Sequence, residues 1–401
     1  MGRYLAALER ELAAWAPHLR PETIFFGGGT PTLLTLRQLE RLLGFLSSHA
    51  GRLRESPVSP EQFPRTPEFT FECNPATLSL DKARLLRSFG VNRISMGVQS
   101  FDERILDKLG RIHSVAQALA SYDILRQAGF DNVNLDLMFA LPGQTMEDWE
   151  KTLRQAIVLQ PEHISTYCLT IEKDTAFWKL FEQGILVPSE DQEIEMYQRT
   201  WEILENAGYC QYEISNFARA NAGRSPLDAP LSTLRARPPS TSNAPRSTTH
   251  APRSFQCRHN IGYWRCEDCI GLGPSAASNC GTKRWRNIAN TEEYIARIDR
   301  GEFPIDFEET LDEETRAGEY VAFGLRMMEG ISQQEFHRRF GHDLTELWPA
   351  ELETLISEGL VQWNADWLQL SSRGKMLADE VSANFVGLAE PIRIPRVNVQ
   401  R

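Results

Sequence analysis

Two kinds of pattern alternate over the first 220 residues. Short runs rich in β-branched and aromatic residues, at 24–26, 69–72, 92–96, 133–138, 163–169 and 209–214, predict strands. Between them apolar residues recur every third or fourth position, which predicts amphipathic helices. The opening helix, 5–15, carries Leu5, Leu8, Leu12 and Trp15 on one stripe and is expected to lay that stripe on the sheet. Thr35 with Gln38, and Ser114 with Gln117, have the spacing of a capping box, in which each side chain satisfies the other residue's backbone N–H. Gly90 is placed to end the helix before it. Strands that alternate with helices in this way predict a parallel sheet joined by right-handed crossovers.

Two stretches interrupt the alternation. Residues 50–67 are rich in Pro, Ser and Arg and read as a surface loop, while 221–254 combine Pro, Ser, Thr, Ala and Arg with few large apolar residues and no periodicity. The second stretch buries too little apolar surface to offset its ordering entropy, so it is expected to be a disordered insertion. Beyond about residue 305 the pattern changes to short helices, at 313–328 and 332–340, and a third that reaches Ser357 and stops at Gly359. Two β-like runs, 360–363 and 367–370, precede a last helix, an order that resembles a winged helix.

The first strand ends abruptly at Gly27, Gly28 and Gly29, with Thr30, Pro31 and Thr32 fixing the exit. Three bare backbones in a row either make a turn after a core strand or let another molecule come close to the main chain. Other predicted strands carry Glu72, Asn74, Gln99, Asp136 and Tyr167 within or just past their C-terminal ends. Strand C-termini form the ligand face of β/α sheets and barrels, so these residues together predict a site on that rim.

Charge and cysteine usage narrow the function classes. Forty-three basic against fifty-four acidic residues give a net charge of −11, which argues against non-specific binding to nucleic acid or an anionic membrane surface. The opening helix is too charged for a signal peptide, and no run approaches the roughly 20 apolar residues of a spanning helix, so a cytoplasmic location without stable membrane insertion is expected. Seven irregularly spaced cysteines do not suggest a disulfide framework. Cys266 and Cys269 form a single CxxC, too few ligands for an iron–sulfur cluster.

The motifs GGGTPT, FECNP, GVNRISMGVQSFD, LGRIHS, NLDLMFALPGQT, HISTYCLT, YEISNFA, HNIGYW and GLGPSA occur in a fixed order over about residues 3 to 290. As an ordered set they resemble the radical S-adenosylmethionine (SAM) superfamily, in the family of oxygen-independent coproporphyrinogen III oxidase. The resemblance implies an α/β fold, a partial β/α (TIM-like) barrel of the radical SAM type lacking its first strand, with a small C-terminal winged-helix-like domain. It divides the chain into a radical SAM barrel at 1–220, the insertion at 221–254, the end of the radical SAM region at 255–304, and a C-terminal domain at 305–401.

The same resemblance implies a SAM site. Gly28, Gly29, Thr30, Glu72, Gln99, Arg111 and Asp136 match the family's SAM contacts, and Thr170 and Ala277 correspond less closely. GRIHS, YEISNFA and HNIGYW are similar to the haem-chaperone (HemW-type) branch, which implies haem and a haem-acceptor protein as partners and marks His259 as a candidate haem residue. Imidazole is a common haem-iron ligand and aromatic rings pack on the macrocycle. The other readings are a coproporphyrinogen oxidase and a cluster-free haem- or SAM-binding remnant. The family holds a 4Fe-4S cluster through CxxxCxxC after its first barrel strand, and that spacing does not occur in this sequence. No metal ligands are therefore assigned, and the chain as written is expected not to cleave SAM. A misassigned start or a truncation is the expected cause. Oligomeric state is not legible from the sequence.

Overall fold

The computed structural model describes residues 1–53, 67–169, 188–220 and 255–387. The insertion expected at 221–254, most of the 50–67 loop and Thr170 lie outside these residues. The chain divides into two compact units, one formed by Met1–Ile24, Leu34–Glu68 and Cys257–Arg401, the other by Phe25–Leu33 and Phe69–Gln256.

The second unit is organised on a seven-stranded sheet. In chain order its elements are β1 (Thr23–Phe26), β2 (Glu68–Cys73), α-helix Leu80–Ser88, β3 (Arg93–Gln99), helices Glu103–Lys108 and Val115–Gln127, β4 (Val133–Phe139), helix Met146–Leu159, β5 (His163–Cys168), helix Glu190–Asn206, β6 (Tyr209–Glu213) and β7 (Asn216–Arg219). The strand order is β1-β2-β3-β4-β5-β7-β6. Strands β2 to β5 are parallel, as the βα alternation requires. The far edge departs from the expectation, because β7 runs antiparallel to both β5 and β6. Ile214 and Ser215 are too short a link for a crossover helix, so the chain turns back as a hairpin and inserts its last strand between β5 and β6.

Apolar side chains of the central strands, among them Ile94, Met96, Val133, Leu135, Leu137 and Ile164, are fully buried, as are Trp149 and Leu153 of the 146–159 helix. The Trp149 indole N–H donates to Thr200 Oγ1 at 2.9 Å, which joins that helix to 190–206. Helix ends follow the sequence chemistry. The Ser114–Gln117 capping box forms in both directions, and so does the pair between Thr35 and Gln38.

In the first unit one face of the opening helix, Gly2–Trp15, packs on the helix Thr291–Asp299. Ala7 packs in a closed cluster with Tyr294, Ile295 and Ile298 of the helix Thr291–Asp299, with Tyr4 against it. Glu11 is buried on the same face: its carboxylate accepts from Tyr294 Oη at 2.6 Å, Asn287 Nδ2 at 2.7 Å and the Gly273 amide at 2.8 Å. A buried polar group needs hydrogen-bond partners, and these donors supply them. Unpredicted strands Ala277–Cys280, Lys283–Asn287 and Ile305–Thr310 form an antiparallel sheet of three. Helices Glu313–Gly324, Gln333–Phe340 and Pro349–Ser357 follow, and Gly359 takes φ +69°. Val361–Asn364 and Trp367–Leu370 then pair as a hairpin, joined by Ile331–Ser332.

Candidate functional site

Strand register gathers the polar residues. Glu72 lies beside Ser95, Ser95 beside Asn134 and Asn134 beside His163, so these four share one rung and one face of the sheet. The next rung is Gly97, Asp136, Ser165 and Asn216. Glu72 and Asp136 therefore stand on the same face, one rung apart.

Glycines open the space at the end of β1. A Cβ on Gly27 would lie 2.6 Å from Phe25 Cε1 and 2.9 Å from Glu72 Oε1, so the main chain passes where no side chain fits. Gly28 and Gly29 take φ +75° and +124°, in the left-handed region, and none of the described residues has an atom within 4 Å of where their Cβ atoms would be. Thr30 is half-buried, and its carbonyl accepts from the Leu33 amide at 2.9 Å. Gln99 is buried at the end of β3 with φ +67°, where the β3–β4 register shifts.

The electrostatics are those of a site short of positive charge. Burial raises the Glu72 carboxyl to about 7, with the negative charge of Asp136 adding to the effect and the Gly28 amide opposing it. Burial also raises Asp136, against hydrogen bonds from Asn134 and Ser95 and the charge of Arg93. Arg111, exposed on the loop after Glu103–Lys108, is lowered by burial of its charge and held up by Asp136. Two carboxyls whose charge is disfavoured by burial in one place mark a site that a cationic ligand would relieve. Bare glycine amides nearby supply donors for a carboxylate, and Arg111 supplies an ionic partner.

Asn74, another residue of the predicted rim, works locally: its Oδ1 accepts from the Ala76 amide at 3.0 Å and caps a short turn. Ala277 is exposed at the start of its strand, in the other unit. Also in that unit, His259 lies on the helix Arg258–Trp264, which begins against a carboxylate. Glu68 accepts from the amides of Arg258 and His259, both at 3.1 Å. His259 Nδ1 lies 3.2 Å from Thr23 Oγ1, and its ring meets Tyr263 edge-on at 5.0 Å between centroids. At the other end of this helix the Arg339 guanidinium donates to the carbonyls of Arg265 and Cys266.

Sequence reasoning missed Ser95, Asn134, His163 and Ser165 beneath the rim and Glu68 and Thr23 around His259. Strand alternation was the available signal: Asn134 and Asp136 interleave with Val133, Leu135 and Leu137, so both point to one face.

The chain matches the model of the radical SAM superfamily over residues 3–156 and that of the HemN C-terminal domain over 311–377. It is 34% identical over 390 residues to the Bacillus subtilis heme chaperone HemW, covering 96% of this chain and 91% of that protein. The chain belongs to the HemW-type family of the radical SAM superfamily. Escherichia coli heme chaperone HemW is 30% identical, with 93% and 86% covered, and mouse mitochondrial radical S-adenosyl methionine domain-containing protein 1 is also 30% identical, with 90% and 75% covered. The fold is that of E. coli coproporphyrinogen III oxidase (HemN), with TM-score 0.73 and 22% identity over 96% of this chain and 83% of that one. The family implies SAM and a 4Fe-4S cluster. Among the described residues, no three His, Cys, Asp or Glu side chains gather as metal ligands would. No helix among them is long and apolar enough to cross a membrane.

Proposed function

We propose that this chain binds haem and SAM and hands haem to acceptor proteins. The observation that carries the reading is identity of 34% to a heme chaperone over nearly the whole of both chains. The helix of HNIGYW supports it, since Glu68 fixes the helix start and Thr23 orients the His259 ring. Haem, when bound, offers an iron that takes a neutral imidazole and a flat apolar face for aromatic packing. His259 is the proposed imidazole, and Tyr263, half exposed beside it, the proposed packing ring.

SAM is the proposed ligand of the rim formed by Gly28, Gly29, Thr30, Glu72, Gln99, Arg111 and Asp136. It carries a sulfonium and an ammonium against one carboxylate, which suits a pair of carboxyls raised by burial, with Arg111 and glycine amides available to the ligand carboxylate. A cation held beside Glu72 and Asp136 would favour their ionised form. The 4Fe-4S cluster is a different case. Among the described residues the cysteines do not gather with other ligand side chains at one place, so the thiols present do not suit a cluster. No step is assigned to it. The fold is proposed to be a partial β/α barrel with a winged-helix-like C-terminal domain, and the segment 221–254 an insertion between two parts of the radical SAM region.

The test is a titration of the chain with haem followed in the Soret region, with coproporphyrinogen III turnover measured in parallel. One haem bound per chain, weakened by His259→Ala, supports the chaperone reading. Porphyrinogen turnover, or haem binding that ignores His259, overturns it.

A further inference from the structure

Beneath the rim, polar side chains continue into the sheet. Asn134 is 1% exposed and His163 0%, yet both are hydrogen-bonded. The Asn134 amide is engaged at both ends: Nδ2 donates to Asp136 Oδ1 at 2.7 Å and Ser95 Oγ at 2.8 Å, and Oδ1 accepts from His163 at 2.6 Å. Ser95 completes the triangle by donating to Asp136 Oδ2 at 3.1 Å.

These bonds fix every orientation in the chain of contacts. An amide oxygen accepts and never donates, so His163 must carry its proton on Nδ1, which leaves Nε2 to accept from Tyr212 Oη at 2.9 Å. Burial and the charge of Arg93 hold His163 well below its ordinary range, in the neutral form this tautomer needs. With the imidazole proton on its oxygen, the Asn134 amide cannot flip, and its N–H groups are aimed at Asp136 and Ser95.

We infer that Asn134 and His163 are positioning residues for Asp136, setting the direction of its carboxylate at the candidate SAM rim through one hydrogen-bonded line across β3, β4 and β5. This deepens the SAM reading and, for its functional consequence, rests on it. Packing alone does not require the arrangement: two apolar side chains would fill these positions without desolvating an amide and an imidazole, whose burial is costly unless every bond is made.

The two ring nitrogens separate positioning from packing. In His163→Asn the amide nitrogen stands where Nδ1 stood and still donates to Asn134; in His163→Gln the longer side chain matches Nε2 and reaches toward Tyr212 instead. Two readouts apply to the 401-residue chain. One is the titration of the Asp136 carboxyl, followed by carbon-13 NMR and assigned with Asp136→Asn, with Glu72, Arg93 and Arg111 unchanged as the other charged groups facing it. The other is calorimetric SAM affinity. His163→Asn should keep the Asp136 titration and SAM affinity within about twofold of the parent. His163→Gln should move the titration upward, because a donor to the carboxylate is no longer held in place, and weaken SAM by about tenfold or more. Where His163→Gln fails to fold, Asn134→Ser makes the same comparison. Equal behaviour of the two His163 variants, or an Asp136 titration indifferent to both positions, overturns the inference. If the titration shifts as stated while the parent binds no SAM, the positioning stands and the SAM reading falls.

Discussion

Replacing Glu72 by Gln removes one ionisable group from the rim and keeps its size and one acceptor oxygen for the Gly28 amide. In the folded chain this carboxyl titrates at about 7 rather than 4.5 because it is buried and faces Asp136. A carboxyl raised on folding favours the folded state while protonated, so its contribution is full below about 4.5 and is lost as pH rises through about 7. Each tenfold change in the constant is worth about 1.4 kcal/mol, which sets the loss at about 3 kcal/mol above the transition. Solvent at a half-buried rim screens part of this, leaving roughly 1 to 3 kcal/mol. Glu72→Gln should therefore match the parent within about 0.5 kcal/mol near pH 5 and exceed it by roughly 1 to 3 kcal/mol near pH 8.5. The assay is urea unfolding of both chains at the two pH values without ligand, beside SAM titrations in which the more stable variant should bind more weakly. A variant that gains nothing between the two pH values would refute the electrostatic account of this rim.

Other outcomes follow from the same geometry. Gly27→Ala places a Cβ against Phe25 and Glu72 and should cost roughly 1 to 3 kcal/mol in thermal unfolding, with SAM binding reduced. Glu68→Ala leaves the Arg258 and His259 amides without their carboxylate, and should cost roughly 1 to 2 kcal/mol and weaken haem binding measured in the Soret region. This 401-residue chain, treated with iron and sulfide under anaerobic conditions and then reduced with SAM, should show no 4Fe-4S absorption band and release no 5′-deoxyadenosine. Replacing Cys266 and Cys269 by Ser in a cluster-containing form of the protein should leave its iron content unchanged.

Local chemistry made most of the parallel strands legible, because runs such as 133–138 end where turn residues begin and the structure moves their limits by few positions. Helix starts were equally readable where a side chain declares them, as at Ser114 and Gln117. The β6–β7 hairpin was hidden because NFAR follows YCQYE with two residues between, and a continuous β pattern does not reveal where it folds back. Glu11 was not legible: nothing in the sequence separates it from the other charged residues of the opening helix, yet it is buried and accepts from Tyr294 and Asn287. At the site, the glycine loop and Glu72 were visible in the sequence. The bonds that aim Asp136 depend on register between three strands, which a single sequence does not print.

Haem transfer tests the central claim most directly. The chain is loaded with one equivalent of haem, freed of excess, and mixed with a haem-free b-type cytochrome, and the spectrum of the reconstituted cytochrome is followed against a control with free haem. The account predicts that the chain's Soret band declines as the cytochrome's appears, in one-to-one proportion, and that His259→Ala loads less haem and delivers less. Retention of haem by the chain in the presence of the haem-free cytochrome, or delivery no different from that of free haem, would contradict it.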